Sequence, residues 1–208
     1  VEEIMGKQVG KQVALMGGTF DPVHMGHLKV AQCIYDELHF EKIVFLPAAI
    51  PPHKVGRDCA SATDRLAMLR LALAKYPYFK LDEMEIKKGG LSYTFETISA
   101  IRKKHPNDDV YFLIGADSLV QLDTWYHSKE LIDEVKFVVA KRPGYKPDME
   151  KLEYQFGPGF MDKLIFVNTV SMNISSTKIR ERVRQGKKIT GLVTPEVEQY
   201  ILEHQLYK

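Results

Sequence analysis

Short, unbroken apolar runs recur along this chain, and they constrain its fold more than any other feature. Val13-Ala14-Leu15-Met16 stops at Gly17-Gly18, Ile43-Val44-Phe45-Leu46 at Pro47, and Val110-Tyr111-Phe112-Leu113-Ile114 at Gly115. Phe137-Val138-Val139 and Leu164-Ile165-Phe166-Val167 are of the same kind. A strand with one wet face alternates polar and apolar residues, whereas an unbroken run needs cover on both faces. The cover is in the sequence between the runs. Leu28, Ala31, Ile34, Tyr35 and Leu38 recur at helical spacing and predict an amphipathic helix over 26–39. Ser61 with Asp64 reads as a capping-box variant ahead of Leu66, Leu69, Leu71 and Leu73. Ser92-Tyr93-Thr94 leads a helix through Ile98 and Ile101 to His105, and Thr194-Pro195-Glu196 opens a last one ending near Leu206. Phe79 to Ile86 reads as a strand with a polar face, and residues 145–162 give no clear pattern.

Runs alternating with helices predict an α/β fold: one doubly wound parallel sheet, with residues 1–208 a single domain and 1–11 a candidate N-terminal extension. The 208 residues are ample for such a core. Net charge of +2 is too small to argue for nucleic acid. Cys33 and Cys59 make neither a disulfide framework nor a metal-ligand spacing, and Cys33 falls in a helical pattern as packing. No apolar run reaches membrane-spanning length and the first residues do not read as a signal peptide, so a cytoplasmic protein is expected.

In such folds ligands bind beyond the carboxyl ends of the strands, at the switch point. Three segments follow strands and carry polar chemistry: Gly17–His27, Gly115–Trp125 and Val170–Arg180. The first, Gly17-Gly18-Thr19-Phe20-Asp21-Pro22-Val23-His24-Met25-Gly26-His27, joins a bare backbone to a helix mouth with two histidines. It is not a P-loop, lacking the Gly-Lys-Ser/Thr ending, and its glycine spacing is not the dinucleotide fingerprint. Alone, His24 and His27 read as N-capping or surface residues; zinc would need further ligands that do not stand at metal-like spacing. Beside Gly17-Gly18, two imidazoles at a helix N-terminus suit a polyphosphate.

This stretch resembles the signature of the HxGH nucleotidylyltransferases, and the chain is similar within that superfamily to the bacterial nicotinate-nucleotide adenylyltransferases. The resemblance extends from Gly17 to Arg180. It implies a Rossmann-like nucleotidylyltransferase fold and the reaction of ATP with nicotinate mononucleotide to give deamido-NAD and pyrophosphate. It makes His24, His27, Lys54 and Arg180 catalytic. Gly17, Gly18, Thr19, Phe20, Gly115, Asp117, Ile174, Ser175, Ser176 and Thr177 would join His24, His27 and Arg180 around ATP. Gly18, Thr19, Lys54, Tyr93, Thr94, Trp125 and Tyr126 would hold the nicotinate nucleotide. Lys54, in Pro51-Pro52-His53-Lys54, lies in a long segment from Ala48 to Ala60 that serves the family as a lid. Without the resemblance, this segment reads as a rigid turn with a solvated lysine, and Trp125 as core packing.

Ile174-Ser175-Ser176-Thr177-Lys178-Ile179-Arg180 sets two cations in the first turns of a helix, against its dipole, which calls for an anion. The resemblance supplies the β- and γ-phosphates of ATP. Arg182, Arg184, Lys187 and Lys188 read as a solvated face. With no carboxylate cluster in the motifs, Mg²⁺ is expected on the ATP phosphates and not on the protein. The partners expected are ATP and nicotinate mononucleotide, with no nucleic acid or membrane, and a homodimer or higher homo-oligomer is open. The rival enzyme is phosphopantetheine adenylyltransferase, which shares the chemistry but usually has threonine at the position of His24 and lacks the Pro-Pro-His-Lys segment. A nucleotide-sensing module on the same fold is the non-enzymatic rival.

Overall fold

The computed structural model describes residues 10–52, 59–141, 147–169 and 172–208. The apolar runs form strands β1 (Gln12–Gly18), β2 (Lys42–Pro47), β4 (Asp109–Gly115), β5 (Lys136–Lys141) and β6 (Leu164–Asn168), with β3 (Phe79–Leu81) at one edge. They make one six-stranded sheet in the order β3-β2-β1-β4-β5-β6, every pair parallel. The order reverses between β1 and β4, as in doubly wound nucleotide-binding sheets.

Register explains why a site opens there. Pairing of β1 with β2 continues to Gly18↔Pro47, and that of β4 with β5 to Gly115↔Ala140. Between β1 and β4 the pairs end at Leu15↔Phe112, although each strand runs on for three more residues. The two halves of the sheet therefore part at their carboxyl ends.

Helices α1 (Met25–Leu38), α2 (Ala62–Leu73), α8 (Ser176–Arg184) and α9 (Pro195–Glu203) cover one face. There Leu28, Ile34, Met68, Leu69, Ile179 and Val197 pack with Ala14, Phe45 and Val138. On the other face α4 (Thr94–Lys104), α6 (Ser128–Glu134) and α7 (Met149–Phe156) bring Ile98, Leu131 and Leu152 against Leu15, Phe112 and Val139. Adjacent residues of one strand serve opposite clusters, which is why the runs are apolar throughout.

Three segments differ from the sequence reading. Phe79 to Ile86 is not one strand. It stops at Leu81, and Asp82 donates its N–H to Phe45 O at 3.0 Å. The Asp82 carboxylate then accepts from Met84 N at 2.9 Å, opening α3 (Met84–Lys88). Acidic residues are poor strand formers and good helix starters, and that preference outweighs the alternation. The unreadable stretch before β6 contains α7, capped by Asp148 accepting from Lys151 N at 3.0 Å, and a 3₁₀ turn at Phe160–Lys163. The last helix ends at Glu203, short of Leu206, and Gln205 and Tyr207 follow with φ of +53° and +64°. The short α5 (Ala116–Leu119) follows β4 directly.

Candidate active site

Gly17 and Gly18 are needed for space. A Cβ on Gly17 would stand 3.0 Å from the Phe112 ring, and one on Gly18 would stand 3.0 Å from the Phe20 ring. Phe20, at φ +51°, turns its side chain into the core, 2% exposed, tilted against Phe45 and edge-on to His27 with centroids 5.1 Å apart. Only its backbone faces the site, and its ring is a platform beneath a histidine.

His24 is the N-cap of α1. Its Nδ1 accepts from His27 N at 3.3 Å, while His27 Nδ1 accepts from His24 N at 3.2 Å. This is a capping box with imidazoles in place of the usual hydroxyl and carboxylate. The rings stack with centroids 3.6 Å apart and planes 16° from parallel. A nitrogen that accepts carries no proton, so each neutral ring holds its proton on Nε2, the atom pointing away from the cap. His24 is buried, 7% exposed, and burial lowers its pKa to about 4. At neutral pH it offers an N–H dipole and not a full charge. Gly26 makes the stack fit: a Cβ there would lie 3.0 Å from His24 Cε1 and Nδ1.

The start of α8 docks on the same turn. Ser175 caps α8, its Oγ accepting from Lys178 N at 3.2 Å. Ser176 Oγ donates to Pro22 O at 3.0 Å, and Arg180 donates to Asp21 O at 2.7 Å. Ile174 lies beside Gly26. Arg180 also stands 3.7 Å from the Asp21 carboxylate, and Lys178 Nζ donates to Asn173 Oδ1 at 2.6 Å. The two cations therefore have local partners, so helix-dipole compensation does not by itself require an external anion. Arg182 donates to Lys188 O at 2.9 and 2.8 Å, closing the end of α8 and not merely solvating it.

The second group of predicted residues gathers across the parted strands. Trp125 stands edge-on to Phe112, centroids 6.2 Å apart, and the space left by Gly17 faces the same Phe112. Tyr126, 47% exposed, packs on Tyr93 with centroids 4.5 Å apart. Tyr93 is the N-cap of α4 and gives no side-chain cap, so Thr94 begins a helix whose first N–H groups that residue leaves uncapped. Ser92 Oγ accepts from Ala49 N at 2.9 Å, while Ala48 N donates to Gly18 O at 2.9 Å. Ala48-Ala49 thus ties the glycines of β1 to the mouth of α4. Gly115 is the N-cap of α5, with nothing within 4 Å of where its Cβ would stand, and Asp117 lies in the first turn. Thr19 is buried, and Thr177 is exposed at the start of α8. Lys54 and His53 lie outside the described residues, as does Val170.

Sequence reasoning missed Arg65 and Tyr207. Arg65, 3% exposed, donates to Thr19 O at 2.9 Å, Ala48 O at 2.7 Å, Ala49 O at 3.2 Å and Ala60 O at 3.3 Å. One guanidinium holds three loop segments around the site; an arginine on the apolar side of α2 was the available signal. Tyr207 Oη donates to Asp21 Oδ1 at 2.7 Å, and no pattern in the sequence pointed to it.

The cytidylyltransferase-like family model matches residues 15–182. A probable nicotinate-nucleotide adenylyltransferase of Desulfitobacterium hafniense is 38% identical over 95% of this chain and 96% of its own length. The nicotinate-nucleotide adenylyltransferase of Bacillus subtilis is 36% identical over 95% of this chain and 99% of its own. Among solved structures, Plasmodium falciparum nicotinic acid mononucleotide adenylyltransferase complexed with NaAD superposes with a TM-score of 0.79 at 20% identity, over 95% of this chain and 97% of that one. The chain belongs to the nicotinate-nucleotide adenylyltransferases of the cytidylyltransferase-like family.

Proposed function

We propose that this chain transfers the adenylyl group of ATP to nicotinate mononucleotide, giving deamido-NAD and pyrophosphate. The observation that carries the reading is the juxtaposition at one turn: two stacked histidines that cap α1 through Nδ1, and Arg180 bound to the backbone of that turn.

The chemistry asks little of the protein. An oxygen of the mononucleotide's 5′-phosphate attacks the α-phosphorus of ATP in line. A new P–O bond forms, the bond to the bridging oxygen of the β-phosphate breaks, and pyrophosphate leaves with that electron pair. No proton must move, so catalysis is positioning and stabilisation of phosphoryl oxygens. His24 and His27 donate to those oxygens as neutral groups, and the N-terminus of α1 adds its partial positive charge. Arg180, with Ser175, Ser176 and Thr177 at the start of α8, meets the departing β- and γ-phosphates. Lys54 and Lys178 add flexible charge, and Asp117 at the end of β4 takes ribose hydroxyls.

Tyr93, Trp125 and Tyr126 form the aromatic wall for the pyridine ring, and the uncapped N–H groups at Thr94 face its carboxylate. Among the described residues no three His, Cys, Asp or Glu side chains converge as a metal cage, and the Asp21 carboxylate is taken up by the Tyr207 hydroxyl and the Ala60 N–H. A Mg²⁺ ion on the triphosphate, keeping its own waters, fits these residues, and when bound it neutralises phosphate charge. We read the sheet and its two apolar faces as one domain, and the protein as cytoplasmic; among the described residues no helix is long and apolar enough to cross a membrane. The test is product identity. ATP with Mg²⁺ and nicotinate mononucleotide gives a dinucleotide, whereas phosphopantetheine in place of the mononucleotide gives none; the reverse preference would assign the rival reaction.

A further inference from the structure

Asp21 is 2% exposed and sits between the candidate phosphate site and the end of the chain. Its Oδ1 accepts from Tyr207 Oη at 2.7 Å and from Ala60 N at 3.2 Å. Its Oδ2 is buried without a hydrogen bond from the described residues, 3.7 Å from the Arg180 guanidinium. Arg180 in turn bonds the Asp21 backbone carbonyl at 2.7 Å and not the carboxylate, and its Nε is also buried and unbonded.

Such an arrangement needs an explanation. A carboxylate and a guanidinium this close, the first buried and the second largely so, gain from direct pairing, since charge-assisted bonds are the strong ones. Something must hold the carboxylate back. The groups on its other oxygen do so: the Ala60 N–H and the Tyr207 hydroxyl. The chain leaves α9 through left-handed backbone at Gln205 and at Tyr207 itself, unfavourable for non-glycine residues. Burial and the adjacent Asp21 raise the Tyr207 hydroxyl well above its ordinary value, so it remains a donor at any working pH.

We propose that Tyr207 is a positioning residue: by holding Asp21 away from Arg180, it keeps the guanidinium directed to the triphosphate of ATP. This rests on the assignment of Arg180 to the ATP phosphates. Without the Tyr207 hydroxyl, the carboxylate closes on Arg180 and its charge is spent within the protein.

A double-mutant cycle tests this, with steady-state kinetics in both substrates for the full chain and for Tyr207→Phe, Arg180→Ala and the two combined. Phenylalanine preserves the packing and removes only the hydroxyl. Tyr207→Phe is expected to lower kcat/KM for ATP about tenfold, the scale of one hydrogen bond to a charged group. It should leave KM for nicotinate mononucleotide within about twofold, and on the Arg180→Ala background it should change ATP kinetics by less than about twofold. A chain ending at Leu206 should show the same ATP-selective loss, which covers failure of the phenylalanine variant to fold. Equal damage to both substrates, an undiminished effect on the Arg180→Ala background, or no effect of either tail variant would overturn the inference. Unchanged ATP kinetics in Arg180→Ala alone would instead remove the assignment of Arg180, and the inference with it.

Discussion

The His24 and His27 rings stack at 3.6 Å, each accepting the backbone N–H of the other through Nδ1. This reciprocal cap fixes two tautomers at once. It leaves Nε2 as the donor nitrogen of each ring at the mouth of α1.

One consequence is a stability profile in acid. Folded His24 has a pKa of about 4 against its ordinary 6.5. The unfolded chain therefore binds more protons than the folded one between these values. His24's contribution to stability is fully present above pH 6.5 and is lost as pH falls toward 4; it amounts to about 3 kcal/mol. Asparagine at this position keeps an N-cap without a titrating ring. Urea unfolding at pH 7 and pH 4.5 should show a loss about 2 kcal/mol smaller for His24→Asn than for the parent chain. Equal losses in the two proteins would mean that His24 is not the group responsible.

Gly26 separates activity from stability. Alanine favours a helix over glycine by about 1 kcal/mol, yet its Cβ would press at 3.0 Å on the His24 ring and displace the stack. Gly26→Ala should hold Tm within a few degrees and reduce kcat about tenfold or more. Full activity would show that the stack tolerates displacement.

Arg65 behaves in the opposite way. Its removal takes the guanidinium from the carbonyls of Thr19 and Ala48, where the bonds are buried, and of Ala49 and Ala60, where they are partly so. Arg65→Met should cost about 3 kcal/mol or more of unfolding free energy. Arg65→Lys should recover little of it, since an ammonium cannot span the fork. Chemical denaturation checks both, and full rescue by lysine would mean that charge, not the fork, matters.

Trp125 meets Phe112 by its edge and lies in the group assigned to the pyridine nucleotide. Trp125→Ala should raise KM for nicotinate mononucleotide about tenfold and leave KM for ATP nearly unchanged. Equal rises in both would mark it as a packing residue.

Much of this was readable in the sequence because it depends on local pattern. The unbroken apolar runs imposed a parallel sheet with covered faces, and each glycine-ended run located a strand's carboxyl end. His24, His27, Ser175 and Thr194 stand at helix starts, where short polar groups were legible. What was not legible depends on distant pairs. Asp21 meets Tyr207 across nearly the whole chain, and Arg65 meets three loops, with nothing local to announce either. Phe79 to Ile86 misled because alternation over a short stretch suits a strand, while Asp82 could end one and open a helix. Trp125 and Tyr126 took their roles from the resemblance, not from any periodicity.

The phosphate donor proposed for His27 is its Nε2–H, and this group can be removed without removing the cap. In His27→Asn the amide stands where Nδ1 stood and can still accept the His24 N–H, while nothing replaces Nε2. Steady-state pyrophosphate release from ATP, Mg²⁺ and nicotinate mononucleotide should show kcat reduced by about 10²–10³ with both KM values within a few-fold, since the bond strengthens only as charge develops on the α-phosphate. A kcat near that of the unaltered chain, in a variant with unchanged Tm, would contradict the placement of adenylyl transfer at this histidine pair.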